Sequence, residues 1–501
     1  MNDHAIFDEG RPSPCPEPFN LAQYVLSVGK DNTAALEVFN EGIERWSYAD
    51  LRDAVWRTAG GLIDLGLKEG DRLLLQIGND TSFPILFLAA VTVGIVPVPT
   101  SALLTEKEVV LIVAELRPSL VAFAGGLTPV ENLGVPTINA QDLAKLRQAE
   151  PASPIMGPPD RLAYMIYTSG TSGKPRAVMH AHRAIWARRM MWDGWYGLRN
   201  DDRILHAGAF NWTYTLGTGL MDPWAVGATA MVYTGCPDRK IWGRIAKQHQ
   251  ASIFAASPGI YRQIVENGAE GFESLRHGLS AGEKMPPSVL SSWIQQTGKA
   301  IYEALGMSEV STFISSSPKV SPRKGTAGKA QIGRRLAILN ADGPVGFGQS
   351  GVLAISKSDP GLMLGYFEKE AETLQKYQGE WFLTGDTVSM DRDGYVTYLG
   401  RDDDMMNAGG YRVSPIEVET AMMTCDGILQ AAAAEVEIRD GVTVIAGFYV
   451  GPDTLEDALV KICKQVLAKY KRPRMFVKMN ALPLGANNKI QRKVLRNWTP
   501  S

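Results

Sequence analysis

Cysteine is scarce in this chain: Cys15, Cys236, Cys425 and Cys463 are the only four among 501 residues. Widely scattered, they form neither a C-x-x-C metal pair nor a disulfide framework, so the simplest reading is reduced thiols in a cytoplasmic protein. A charge excess is missing too. With 51 Lys plus Arg against 53 Asp plus Glu, no whole-molecule field marks nucleic acid as the main partner. The amino terminus, from Met1-Asn2-Asp3-His4 onward, lacks an apolar run, and a secretory leader is not expected. Residues 85–104 are mostly apolar, but Gly94, Pro97 and Pro99 interrupt them. They read as a buried helix turning into a strand, and no membrane partner is expected. No short repeat is visible.

A chain of 501 residues is too long for one ordinary core and is expected to divide into two to four domains or subdomains. Arg72–Ile77 reads as a strand, Phe83–Val93 as a helix and Val96-Pro97-Val98 as the next strand. The same alternation continues to about residue 330 and predicts α/β layers with parallel sheets. The Pro-rich stretch 151–159 reads as a subdomain linker. Past residue 330, short Gly-punctuated strands such as Gly351–Ile355 and Gly394–Leu399 predict a small β-rich region. The last hundred residues mix helices (414–424, 455–469) with strands (432–436, 443–449), which predicts a separate α+β domain joined near Arg401-Asp402-Asp403-Asp404. From residue 461 onward there are eleven Lys or Arg and no Asp or Glu. Such a tail is usually a solvated basic face or sometimes a nucleic-acid patch, and the phosphates of a small ligand are an equal target.

The most informative segment is Tyr167-Thr168-Ser169-Gly170-Thr171-Ser172-Gly173-Lys174-Pro175. Glycines let backbone N–H groups curl around an anion, hydroxyls add donors, and a lysine supplies a point charge for a polyphosphate. The apolar run Leu162–Ile166 before it reads as a buried strand, so the loop is expected at that strand's carboxyl end. It is not a Walker A loop, because Thr168 and Pro175 stand where that pattern needs Gly and Ser or Thr. By composition alone it could equally be a surface turn.

The residue order T-S-G-T-S-G-K-P resembles the signature of the adenylate-forming superfamily, which contains acyl-CoA synthetases, aryl-CoA ligases, peptide-synthetase adenylation domains and luciferases. Further segments resemble that family's motifs in order. Tyr302-Glu303-Ala304-Leu305-Gly306-Met307-Ser308-Glu309 resembles Y-G-x-T-E, with Ser308 in the threonine's place, and implies Glu309 as a Mg²⁺ ligand. Read alone, Glu309 is a cap or surface residue. Trp381 to Asp386 resembles the T-G-D segment, whose aspartate, here Asp386, accepts from both ribose hydroxyls. Alone, it is a turn aspartate. Gly400 to Asp404 with Gly409 to Glu419 resembles the hinge and the loop after it. This implies Asp403 as the pivot, Arg401 near ribose and phosphate, and Gly409 and Gly410 along the pantetheine arm of CoA. Leu482 to Lys493 resembles L-P-x-T-x-x-G-K-I-x-R, which makes Lys489 the lysine that reaches the carboxylate and α-phosphate, with Asn488 replacing the usual glycine. Gly282-Glu283 resembles the G-E of the adenine site, and Phe210, Trp212 and Tyr214 align with the segment that lines the acyl pocket, where Gly282 and Gly306 are also expected.

The resemblance spans nearly the whole chain. It implies a large N-terminal domain (1–402, two layered α/β sheets plus a β-rich region) and a small mobile α+β domain (403–501) hinged near residue 403. It implies an ATP-dependent acid–CoA ligase using ATP, Mg²⁺ and coenzyme A. Lys489, Glu309 and Lys174 are the expected catalytic residues. Thr168, Ser169, Gly170, Thr171, Ser172, Gly173, Gly282, Glu283, Ser308, Asp386, Arg401, Gly409 and Gly410 are expected to hold nucleotide or CoA. The stretch Trp212–Leu220 looks like that of benzoate-type ligases and favours a compact aryl acid, with a short or medium aliphatic acid as the alternative. A carrier-protein-loading enzyme remains open, although no D-S-L-type attachment site is present. A non-catalytic nucleotide binder is expected to lack one of Lys174, Glu309, Asp386 or Lys489, and all four are present. A homodimer is left open.

Overall fold

The computed structural model describes residues 4–168, 176–235, 240–408, 411–439, 442–485 and 490–498. They divide into two compact units: Phe7–Arg335 with Ser356–Glu380, and Met1–Ile6 with Leu336–Ile355 and Trp381–Ser501.

The first unit is layered α/β. Its larger sheet has nine strands in the order Lys329–Ala330, Ser311–Ser315, Ile301–Met307, His277–Ala281, Ile253–Ala256, Arg203–His206, Thr229–Tyr233, Ala34–Phe39 and Ile43–Ser47. The six strands from Ile301–Met307 to Ala34–Phe39 run parallel, and both ends of the sheet turn antiparallel through tight hairpins. A four-stranded parallel sheet joins Val96–Pro99, Arg72–Ile77, Leu120–Ala124 and Thr137–Ile138. Apolar runs here are continuous because both faces of such a sheet are covered. Helix Ser82–Thr92 shows the same physics, since every side chain from Phe83 to Thr92 is buried against helix Tyr48–Asp64 and the strands flanking it. Residues 85–100 are therefore core, as a buried helix turning into a strand should be, while Leu103 beyond them is 84% exposed. Among the described residues no helix is long and apolar enough to cross a membrane.

Helix starts follow from side-chain chemistry. Ser47 and Asp50 form a reciprocal cap on helix Tyr48–Asp64, as do Thr105 and Glu108 on Glu106–Leu116, satisfying N–H groups that have no partner within the helix.

Two expectations need correcting. Strand Leu162–Thr168 does end at the polar loop, but it pairs antiparallel with Arg176–Ala181 in a three-stranded sheet completed by Gly365–Tyr366. Only residues 169–175 join the pair, too few for the crossover that a parallel pair needs. The Pro-rich stretch 151–159 is not a linker between subdomains. It has no helix, and its backbone is strapped down: Ala152 N–H donates to Trp56 O (2.9 Å), Ile155 N–H to Thr92 O (2.8 Å), and Gly157 O accepts from Phe19 N–H (2.8 Å).

The second unit holds the expected β-rich region and the mixed terminal region. Strands Arg335–Asn340, Ser350–Ser356, Trp381–Met390 and Val396–Arg401 lie in adjacent order in one sheet. Helices Pro415–Met422 and Glu456–Val466 pack with a sheet of Gln430–Arg439, Val442–Val450 and Met475–Lys478. Part of the basic tail is neutralised within this unit. Lys471 pairs with Glu417 (2.6 Å), Lys478 with Asp453 (2.5 Å), Arg492 with Glu419 (2.8 Å) and Arg496 with Asp404 (3.1 Å). Cys15, Cys425 and Cys463 are free thiols.

Candidate active site

Gly306 begins the local construction. The register of strands Ile301–Met307 and Ser311–Ser315 slips between Leu305 and Gly306. A Cβ on Gly306 would lie 2.4 Å from Ser311 O and 2.6 Å from Thr312 Cα, so only glycine lets the hairpin close this tightly. The turn carries Ser308 and Glu309. Ser308 O accepts from Nε2–H of buried His180 at 2.8 Å. Glu309 is half-buried, and its Oε1 accepts from the buried Tyr366 hydroxyl at 2.7 Å, while its backbone O accepts from Met363 N–H at 2.8 Å. The second carboxylate oxygen of Glu309 has no hydrogen-bond partner among the described residues.

Gly282 follows the carboxyl end of strand His277–Ala281 with φ +97°, a conformation that side chains other than glycine rarely adopt. A Cβ there would meet Trp212 Cζ2 at 2.7 Å, so Gly282 and Trp212 are brought together. Trp212 stands edge-on to Tyr214 at 5.2 Å, and the Tyr214 hydroxyl donates to Leu279 O at 3.1 Å. Burial pushes that hydroxyl's pKa well above its usual value. Phe210 packs on Phe83 at 5.4 Å in the main core with 1 % exposure, which makes it a core ring rather than an open wall. Glu283 is half-buried, and Thr168 Oγ1 closes its hairpin on Arg176 O at 3.4 Å.

In the second unit, strands Trp381–Met390 and Val396–Arg401 place Asp386 opposite Arg401. Arg401 Nη1 donates to Asp386 Oδ1 and to Thr384 O, both at 3.1 Å, and the Tyr398 hydroxyl donates to the same Oδ1 at 3.3 Å. Gly385, at φ +78°, lets the guanidinium lie across the turn, since a Cβ there would sit 2.9 Å from Arg401 Nη2. Burial, and then the Asp386 carboxylate, push the Tyr398 hydroxyl pKa up, so it stays a donor. Asp403 lies in the short turn Asp402–Asp404, of which only its backbone is described. Ser169, Gly170, Thr171, Ser172, Gly173, Lys174, Gly409, Gly410 and Lys489 lie outside the described residues.

Four features, three in the first unit and Tyr398 in the second, carry no local signal in the sequence. Tyr366, Tyr398 and His180 reach their partners only through the fold. The fourth is a buried ion cluster, in which Arg188 Nε and Nη2 donate to Asp222 (2.5–3.0 Å) and the Tyr196 hydroxyl donates to Asp222 Oδ2 (2.8 Å). Gly217 makes room for it, as a Cβ there would lie 2.2 Å from Arg188 Cζ.

Among the described residues no three His, Cys, Asp or Glu side chains form a metal-holding group of their own. The half-engaged Glu309 carboxylate nevertheless fits Mg²⁺, which takes one or two protein carboxylates and completes its shell with water and substrate phosphates.

The family model for AMP-binding enzymes matches residues 27–367, and the model for the AMP-binding enzyme C-terminal domain matches residues 417–489. The chain belongs to the AMP-binding enzyme family, and by class it is an adenylate-forming, AMP-producing acid–thiol ligase. It is 30% identical to the benzoate–CoA ligase of Thauera aromatica across 96% of each chain. It is also 30% identical to the 4-hydroxybenzoate–CoA/benzoate–CoA ligase of Rhodopseudomonas palustris, covering 90% of this chain and 89% of that one. Among solved structures, a benzoate CoA ligase from Burkholderia xenovorans LB400 superposes with a TM-score of 0.86 at 27% identity, over 96% of this chain and 100% of that one. The anthranilate CoA ligase AuaEII, at 24% identity and a TM-score of 0.89 over 96% of this chain and 97% of that one, shares the fold.

Proposed function

We propose that this protein is an ATP-dependent ligase that converts an aryl, benzoate-like acid to its CoA thioester through an acyl-AMP. The observation that carries this reading is the 30% identity to a benzoate–CoA ligase along 96% of both chains. The packing of the Trp212 ring edge on the bare backbone of Gly282 accords with it, as it places an aromatic ring in the expected acyl-pocket segment.

In the first half-reaction a carboxylate oxygen of the acid attacks the α-phosphorus of ATP. The bond to the bridging oxygen breaks, and pyrophosphate leaves. Thr168 with the loop through Lys174 holds the leaving phosphates, and Lys489 offsets charge around the transferring group. The work is positioning and electrostatics. Mg²⁺, held through Glu309, would supply charge neutralisation on the phosphates. Tyr366 orients that carboxylate by occupying one of its oxygens. Asp386 takes the ribose hydroxyls, with Arg401 and Tyr398 fixing its orientation. Glu283 and Gly282 border the adenine, and Ser308 sits beside the phosphates. In the second half-reaction the small domain turns about Asp403 and withdraws Lys489. Gly409 and Gly410 then flank the pantetheine arm. The CoA sulfur attacks the acyl carbon, the bond to the AMP oxygen breaks, and AMP leaves. The free, scattered cysteines accord with a cytoplasmic setting.

The test is a screen of aryl and of short and medium aliphatic acids with ATP, Mg²⁺ and CoA, reading pyrophosphate, AMP and thioester. Turnover of a benzoate-type acid is expected. Turnover of aliphatic acids alone overturns the aryl reading, and adenylation without transfer to CoA overturns the ligase reading. Gly410→Leu is expected to block thioester formation while acid-dependent pyrophosphate exchange persists. Loss of both in protein of unchanged Tm removes Gly410 from the CoA path.

A further inference from the structure

Tyr164, His180, Arg188, Thr213, Ser308 and Ser311 are among the residues that line one small cavity of the first unit. Its walls include the two segments already tied to the site, because Thr213 stands between Trp212 and Tyr214, and Ser308 precedes Glu309. It leaves about 20 Å³ for the centres of water-sized groups, room for one small polar group and not for a ring.

Besides the hydroxyl-bearing Tyr164, Thr213, Ser308 and Ser311, two lining residues bring nitrogen atoms with hydrogen-bonding capacity left over. His180 is buried, with 4% of its surface exposed, and its ring stacks on Tyr164 at 4.9 Å. Its Nε2 bonds the carbonyl of Ser308, and a carbonyl only accepts, so the proton is on Nε2. That leaves Nδ1 a lone-pair acceptor, and it has no partner among the described residues. Burial holds the imidazole pKa down at about 4, so Nδ1 remains unprotonated at neutral pH. Arg188 brings the other nitrogen. Nη1 carries two N–H groups, and among the described residues its one hydrogen bond is to Ser311 Oγ. The guanidinium charge is already matched by Asp222, so the cavity offers a second carboxylate no net positive charge. An unpartnered acceptor on one residue and a partly engaged donor on another, both lining a space for one small group, call for a group that both donates and accepts.

We propose that this cavity is a specificity subsite for a hydroxyl on the ring of the substrate acid, with the hydroxyl donating to His180 Nδ1 and accepting from Arg188 Nη1. The proposal rests on the aryl-acid reading above. A substrate without the hydroxyl leaves a buried polar atom unpaired, which is the arrangement that gives discrimination of about tenfold or more.

The test compares kcat/KM for benzoate, the three monohydroxybenzoates and their methoxy analogues in wild type, His180→Phe and His180→Gln. One hydroxy isomer is expected to exceed benzoate by about tenfold or more, and its methoxy analogue, which cannot donate, to fall below benzoate. His180→Phe keeps a ring against Tyr164 but removes the acceptor, and the hydroxy-to-benzoate ratio should collapse toward one. His180→Gln can donate to Ser308 and still accept, so it should retain part of the preference. If His180→Phe does not fold, the wild-type hydroxy-to-methoxy ratio decides. Benzoate turnover with no preference for any hydroxy isomer, or a preference that survives in folded His180→Phe, overturns the subsite and leaves a cavity for water alone. Turnover of aliphatic acids only is a different failure, which removes the aryl reading itself.

Discussion

Asp222 and Glu309 are two carboxylates of one compact unit, and each accepts a tyrosine hydroxyl, from Tyr196 at 2.8 Å and Tyr366 at 2.7 Å respectively. There the likeness ends. Asp222 is fully buried, and both its oxygens also face the Arg188 guanidinium. Glu309 is half-buried and keeps one oxygen without a partner among the described residues. A carboxylate whose every acceptor site is filled from within the fold holds the fold together, and one left half-filled is set up to bind. Asp386, in the second unit, is a third kind of carboxylate, paired with Arg401 at 3.1 Å and directly after Gly385 at φ +78°.

The largest effect should come from breaking the saturated member. Asp222→Ala strands a buried guanidinium, and removing one partner of such a pair costs about 3–5 kcal/mol. Its Tm should therefore fall steeply by calorimetry, whichever substrate is present. A near-unchanged Tm would mean that Asp222 is not the group that satisfies Arg188. Glu309→Gln should do the reverse. The fold should persist, because the amide oxygen can still accept from Tyr366, while acid-dependent pyrophosphate exchange drops by roughly 10²-fold, the scale for removing one electrostatic stabiliser. Normal exchange in that variant would take Glu309 out of the phosphate site.

Asp386→Asn sharpens the third case. Hydrogen bonds to a charged acceptor are worth about 1.5–3 kcal/mol each, so ATP affinity should weaken by at least about tenfold, measured by calorimetric titration. Unchanged affinity would leave Asp386 as no more than Arg401's partner. The smallest effect belongs to Tyr366→Phe, which removes one neutral donor from Glu309. Stability should fall by about 1.5 kcal/mol, the low end for a bond to a charged acceptor, since Glu309 is only half-buried, with a smaller loss of exchange than Glu309→Gln causes. A larger loss would make the tyrosine, and not the carboxylate, the group that matters.

Much of the fold can be read from the residues in order. Strand Arg72–Ile77 and helix Ser82–Thr92 stand within a residue of their predicted bounds, because an uninterrupted apolar run has one physical solution when both of its sides are covered. The antiparallel pairing of Leu162–Thr168 with Arg176–Ala181 is not legible in the sequence, since strand direction depends on the partner, and Arg176–Ala181 has no marker of its own. The site divides along the same line. Glu309, Asp386, Arg401 and Gly282 sit in short segments that resemble the family's motifs, although none of them stands out when read alone. Tyr366 meets Glu309 across 57 positions and Arg188 meets Asp222 across 34, and His180 looks like any strand residue until the hairpin turn brings Ser308 O to its ring. Such partners are set by tertiary register, which local pattern does not encode.

The most direct measurement is acid-dependent exchange of labelled pyrophosphate into ATP without CoA, followed by addition of CoA to the same mixture. With a benzoate-type acid, exchange should proceed before CoA is present, and CoA should then convert the bound acyl-AMP to thioester and AMP in equal amounts. Release of ADP, exchange that needs no acid, or an acyl-AMP that persists when CoA is added would contradict the account.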